Sequence, residues 1–102
     1  MQTALSEELL TELHQNNVQV IEKKASSSRT RTTLLRVFTY LEANPIIEIR
    51  KTALALAMAY NTAASAVRVL QEVGILAQTS EQNRNRTFAY SAYLKILRKG
   101  TE

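Results

Sequence analysis

Residues 49–74 constrain the fold most, because two helical patterns follow one another there with only a few residues between them. The first pattern covers Ile49–Leu56 and the second covers Tyr60–Val73. Small residues recur along both and would let the helices cross closely: Ala53, Ala57, Ala63 and Ala66. Gly74 follows the second pattern directly and can end a helix in the left-handed conformation. Two short helices joined by a tight turn predict a helix-turn-helix.

The apolar residues of both helices are expected to face the interior. In the first helix these are Ala53, Leu54 and Leu56. The second helix carries its interior residues on one side, at a period of about 3.6 residues. They are Ala63, Ala66, Val67, Leu70 and Val73.

Beyond Gly74 the period changes from that of a helix to that of a strand. Ile75–Thr79 and Arg86–Tyr90 form two strand-like runs, and the polar stretch Ser80–Asn85 connects them. This pair predicts a β-hairpin with a long tip. A last helix is predicted over Ala92–Arg98. Its residues toward the core are Tyr93, Leu94 and Leu97.

Two more helices are predicted upstream of the helix-turn-helix. The first covers residues 6–25, with Ser6 as its N-cap and two glutamates in its first turn. Its apolar stripe is interrupted by Asn16 and Asn17. The stripe consists of Leu9 or Leu10, Leu13, Val20 and Ile21. The serine run Ser26–Ser28 then predicts a short linker.

The second helix is predicted over Arg29–Ala43. Its broad apolar face consists of Leu34, Leu35, Val37, Phe38 and Leu41. The helix ends at Asn44, because a residue before proline is pushed out of the helical region. Pro45–Glu48 is short and β-branched, which predicts a brief strand.

The order of elements predicts a mainly α fold with a small β-hairpin. Helix, strand, helix, turn, helix, hairpin and helix is the order of a winged helix-turn-helix, here preceded by an N-terminal linker helix. A length of 102 residues suits one core. We divide the chain into a connecting helix and linker, residues 1–28, and a winged-helix domain, residues 29–102.

The composition gives no support for catalysis. The absence of Cys excludes disulfides, thiolate metal ligands and a cysteine nucleophile. The single His, His14, cannot assemble a zinc site alone. The sequence has no glycine-rich phosphate loop, no Ser/His/Asp set and no carboxylate pair for acid–base work. We therefore expect no enzyme activity, cofactor or metal in this chain.

The sequence also lacks the patterns of membrane insertion and export. No apolar run approaches the roughly 18 residues of a membrane span. No signal-peptide pattern opens the sequence. These observations predict a cytoplasmic location.

The net charge of +4 is distributed unevenly. Residues 1–25 contain four Glu and two Lys, a net charge of −2, whereas the remainder contains eleven Lys or Arg and five Glu, a net charge of +6. A basic body suits a polyanionic partner. The alternative is a solvated surface that happens to be basic, and charge alone does not distinguish the two.

The second helix of a helix-turn-helix enters the DNA major groove, and residues near its N-terminus reach base edges. Here the candidates are Tyr60, Asn61, Thr62, Ser65 and, one turn further, Arg68. Asn bonds adenine bidentately and Arg prefers guanine or phosphate. The alternative is that Asn61 or Thr62 only caps the helix.

The hairpin tip supplies a second set of candidates, Arg84, Asn85 and Arg86. Two arginines on an exposed turn suit phosphate contact or insertion into the minor groove. The alternative is a solvated turn whose positive field is partly offset by Glu81. Arg29 and Arg31, at the start of the second helix, are further candidates for phosphate contact, and the alternative is that they only solvate the linker.

Several runs of the sequence resemble the C-terminal winged-helix domain of Fic family proteins. They are Ser27–Thr30, Tyr40–Ile47, Tyr60–Ala63, Val73–Leu76, Arg84–Phe88, Tyr93–Leu97 and Gly100–Glu102. The resemblance covers roughly residues 20–102. It departs at the helix-turn-helix turn, where the family has Gly, an apolar residue and Ser and this chain has Ala57-Met58-Ala59. Ala in a left-handed position costs about 1–2 kcal/mol, and loss of a Ser cap costs about 1 kcal/mol.

The resemblance implies a non-catalytic piece of a larger enzyme. Full-length members carry a Fic domain that transfers AMP from ATP to a protein hydroxyl, through a loop with the pattern His-Pro-Phe-x-Asp/Glu-Gly-Asn-Gly-Arg. That pattern does not occur here, so no catalytic residue is carried over. The expected partner is double-stranded DNA. The alternative is an interaction module that docks on the parent's Fic domain, its protein substrate or a second copy.

Overall fold

The fold is mainly helical with a small antiparallel sheet, as predicted. The computed structural model describes residues 2–79 and 87–101. Within them the helices are α1 (Gln2–Lys24), α2 (Ser28–Ala43), α3 (Ile49–Ala55), α4 (Tyr60–Glu72) and α5 (Ser91–Thr101). The strands are β1 (Ile46–Glu48), β2 (Ala77–Gln78) and β3 (Thr87–Ala89). The chain is therefore a winged helix-turn-helix preceded by an N-terminal helix.

Helices α3 and α4 form the helix-turn-helix. They diverge by 118°, and residues 56–59 connect them. Both features match a helix-turn-helix, in which the two helices meet at about 90–120° across a short turn. The turn is held from outside, because the guanidinium of Arg36 on α2 donates a hydrogen bond to the carbonyl of Leu56.

The free-energy cost predicted for an alanine in this turn arises from the backbone conformation of Ala57. Ala57 has a φ of +53°, and within the described residues it is the non-glycine residue with a positive φ. An L-residue is disfavoured there because its Cβ approaches the following carbonyl oxygen. Gly74, which follows α4, has a φ of +87° and ends the helix as predicted.

The sheet has the order β1-β3-β2, and both pairings are antiparallel. Phe88 on β3 lies opposite Ile47 on one side and Gln78 on the other. The amide of Thr79 donates a 2.9 Å hydrogen bond to the carbonyl of Thr87, which continues the hairpin toward its tip. Strand β1, which precedes the helix-turn-helix, is thus joined to the hairpin through β3.

One core lies between α2, α4, the sheet and α1. Its largest fully buried side chains are Tyr90, Phe38, Ile21, Leu34, Leu41, Leu70, Val37, Val67 and Thr52. Burying one such aliphatic or aromatic side chain stabilises the fold by about 1.5–3 kcal/mol relative to leaving it exposed. The buried Thr52 hydroxyl is satisfied by a 2.9 Å hydrogen bond to the carbonyl of Glu48.

Helix α1 packs against α2 and α5. It contributes Ile21, which is 1% exposed, to the common core. A hydrogen bond and an ion pair join it to α2: His14 Nδ1 lies 2.6 Å from Glu42 Oε2, and Arg31 Nη2 lies 2.7 Å from Glu22 Oε2. The division of the chain at residue 28 stays a prediction.

Three details of the sequence analysis are wrong. Leu97, predicted to face the core, is 40% exposed. Helix α1 begins at Gln2, so Ser6 lies inside the helix and is not its N-cap. The residues before Ser6 have no helix breaker and continue the helix. Leu54 is 76% exposed rather than interior. Helix α3 is only two turns long, and its buried side is taken by Thr52 and Ala53.

In the described part of the chain, no single helix is long and apolar enough to cross a membrane. Helices α3 and α4 reach that length and composition only when taken together, across their 118° bend. The residues that these two helices bury are Thr52, Ala53, Ala63, Ala66, Val67 and Leu70, whereas Leu54 is exposed.

Candidate nucleic-acid interface

Helix α4 separates its residues into a buried side and an exposed side. Ala63, Ala66, Val67 and Leu70 are buried against the core, whereas Val73 just beyond the helix is partly buried. The 3.6-residue period then turns the predicted DNA-contacting residues outward. These are Tyr60, Asn61, Thr62, Ser65 and Arg68, and all are exposed. The structure thus brings five of the eight predicted site residues to one helical face.

Neither Asn61 nor Thr62 caps α4. The N-cap is Ala59, with a φ of −65° and a ψ of 148°, and its side chain makes no cap hydrogen bond. The two polar residues therefore occupy the second and third helical positions. Among the described residues, no hydrogen bond or ion pair engages their side chains, and the same holds for Arg68. The capping alternative is wrong, and these side chains are available to a ligand.

A shallow groove of about 360 Å³ runs between the start of α2 and the start of α4. Asn61, Thr62 and Ser65 line it from α4. The residues that line it from α2 are Arg29, Thr30, Thr33 and Leu34. Donors and acceptors from two helices therefore meet beside the N-terminus of α4, where the helix dipole favours an anion.

The two arginines at the start of α2 have different surroundings. Ser27 caps α2 by accepting a 3.2 Å hydrogen bond from the amide of Thr30, which fixes the first turn. Arg29 then lines the groove beside α4. Arg31 instead forms its ion pair with Glu22 of α1. Of these two arginines, only Arg29 therefore lies beside the exposed face of α4. The sequence contains no signal that would distinguish the two arginines.

Two further basic residues were not assigned by the sequence analysis. Arg50 and Lys51 are exposed on α3, the helix that precedes the turn. No ion pair engages either of them in the described residues. The signal in the sequence that could have identified them is that two basic residues follow one another at the start of a predicted helix.

The hairpin-tip candidates Arg84, Asn85 and Arg86 lie outside the described residues. The described part of the hairpin ends at Thr79 and Thr87, whose hydroxyl groups are hydrogen-bonded to one another. In the same described part of the chain, no three His, Cys, Asp or Glu side chains lie close enough together to hold a metal ion.

Comparison with known proteins gave no match: no family model, curated protein or solved structure matches this chain. The resemblance to Fic family proteins therefore stays a prediction from the residues. The assignment of a winged helix-turn-helix depends on the element order, the 118° angle and the sheet pairing described above.

Proposed function

We propose that this chain is a DNA-binding module whose helix α4 enters the major groove. The observation that carries the proposal is the outer face of α4, where Asn61, Thr62 and Arg68 are exposed and unengaged in the described part of the chain. In a helix-turn-helix this face meets the base edges. Helix α4 is the second helix of a pair whose 118° angle suits that role.

Each polar residue of the site has a defined task in this proposal. Asn61 bonds an adenine edge and Thr62 bonds a base or a phosphate. Arg68 bonds guanine or phosphate one turn further along. Arg29, across the groove, contacts the phosphate backbone and sets the register of α4 on the duplex. At the predicted hairpin tip, Arg84 and Arg86 add phosphate contacts outside the major groove.

We further propose that the module belongs to a Fic-type enzyme and directs or regulates an AMP transferase in the cytoplasm. The support is the sequence resemblance, together with a composition that offers no catalytic set. The module itself performs no chemistry in this proposal. Its DNA contact would place the catalytic domain of the parent near its targets or its own promoter.

The test is the affinity for short duplexes, measured by fluorescence anisotropy over a series of salt concentrations. We expect Arg68→Ala to weaken binding and, if it contacts phosphate, to reduce the slope of log affinity against log salt by about one. Arg31→Ala is the matched control, because it removes the same charge from an arginine paired with Glu22. Absence of binding at low salt, or equal effects of the two substitutions, would overturn the proposal.

A further inference from the structure

The outer side of α3 combines positive charge with an exposed leucine. Leu54 is 76% exposed, more than any other large hydrophobic residue described. Arg50 and Lys51 lie four and three residues before it, so all three side chains share one side of the helix. Both basic residues are exposed. The exposed leucine and the two basic side chains therefore form one small, positively charged surface on α3.

The N-terminal half of α1 combines negative charge with a partly exposed leucine. Leu9 is 37% exposed, and Glu8 and Glu12, which are also exposed, both lie to one side of it. Glu7, Thr11 and Gln15 are exposed beside them on the same helix. Up to Gln15, α1 contains three Glu and no Lys or Arg.

Within the described residues, no ion pair joins these two surfaces in one copy of the chain. Helix α1 packs against α2 and α5, whereas α3 packs against α4 and β1. Among the described residues, α1 makes an ion pair through Glu22 and a side-chain hydrogen bond to Glu42 through His14, but neither Glu8 nor Glu12 makes either kind of contact. The two surfaces are therefore opposite in charge, and each also carries an exposed leucine.

We propose that a second copy of this chain supplies it: the acidic half of α1 from one copy lies on the basic side of α3 in the other. Leu9 then packs on Leu54, and the two glutamates face Arg50 and Lys51. Because each copy carries both surfaces, a reciprocal two-fold contact closes the assembly as a dimer. This dimer is independent of the proposed DNA contact, which uses α4.

The experiment is sedimentation velocity of the full chain over a wide concentration range, with no DNA present. We expect a monomer–dimer equilibrium that shifts toward monomer at high salt, because exposed charges are screened over a Debye length of about 10 Å at 0.1 M ionic strength. Leu54→Ser should weaken the dimer and leave the thermal transition unchanged, since this side chain is exposed.

Charge reversal makes the test specific. The double variants Glu8→Lys/Glu12→Lys and Arg50→Glu/Lys51→Glu should each raise the dimer dissociation constant by at least about tenfold, because attraction becomes repulsion. Mixing the two variants restores opposite charges at both contacts, so the mixture should form a heterodimer. Lys24→Glu is the control, because it reverses an exposed charge at the other end of α1.

A monomer at every concentration, or a mixture that stays monomeric, would overturn this proposal. Either result would leave the α3 surface to an acidic partner of another kind. It would not affect the DNA-binding proposal, which is tested by duplex affinity in a separate assay.

Discussion

The side-chain amide of Asn17 donates a 2.6 Å hydrogen bond to the hydroxyl of Tyr90, and this contact joins α1 to the residue that follows β3. Tyr90 is 1% exposed, and its ring lies edge-on to Phe38 and stacked on Tyr93. The phenol therefore connects α1, α2 and α5 at one buried point. Asn17 is what satisfies its polar end.

Asn17→Ala should lower the free energy of unfolding by about 1–3 kcal/mol, because it removes the partner of a buried hydroxyl. Asn16→Ala is the matched control: the same change is made one residue earlier, at an exposed position. Urea denaturation of both variants measures the difference. Equal effects would show that the hydrogen bond contributes nothing to stability.

Alkaline pH should destabilise the fold through Tyr90. Burial raises the pKa of Tyr90 to about 12. Between about pH 10, the ordinary tyrosine pKa, and pH 12, the unfolded chain loses this proton while the folded chain keeps it. Stability that is fully present below about pH 10 is therefore lost as the pH rises toward 12, by roughly 2–3 kcal/mol.

Urea denaturation at a series of alkaline pH values measures this loss. The comparison is Tyr90→Phe, which keeps the ring but has no proton to lose. Its stability should change less steeply over the same pH range. Identical slopes for the two proteins would contradict the prediction.

Ile21→Ala should destabilise the whole domain, although Ile21 lies in the helix that the sequence analysis separates as a linker. The side chain is 1% exposed in the common core. Truncating such a residue costs about 2–5 kcal/mol, because a cavity remains. Gln19→Ala, at an exposed position of the same helix, is the control. A single thermal transition shifted only by Ile21→Ala is expected, and an unchanged transition would support the boundary at residue 28.

Ala57→Gly should stabilise the protein by about 0.5–1 kcal/mol. The φ of +53° at Ala57 is disfavoured for an L-residue by about 1–2 kcal/mol, and part of the gain is offset by the flexibility of glycine in the unfolded chain. Ala64→Gly, inside α4, has no such strain to relieve and should destabilise. Thermal unfolding of both variants checks the opposite signs.

Local signals in the sequence predict most of the fold. Pro45 prevents α2 from continuing beyond Asn44, the first strand starts at Ile46, and Gly74 ends α4 in the left-handed conformation that glycine favours. The predicted helix from Tyr60 is observed to run to Glu72. The outward side of α4 follows from the same 3.6-residue period, and Asn61 and Arg68 are exposed on it.

The sequence by itself therefore determined the elements, their order and the exposed side of α4, because caps, breakers and periodicity act within a few residues. Only the tertiary structure decided that Asn17 satisfies Tyr90, that Leu54 faces outward, and that Arg29 reaches the α4 groove. Each of these depends on which side chain from a distant part of the chain lies opposite. The packing of the helices against one another decides which side chains meet, and no local sequence pattern encodes that packing.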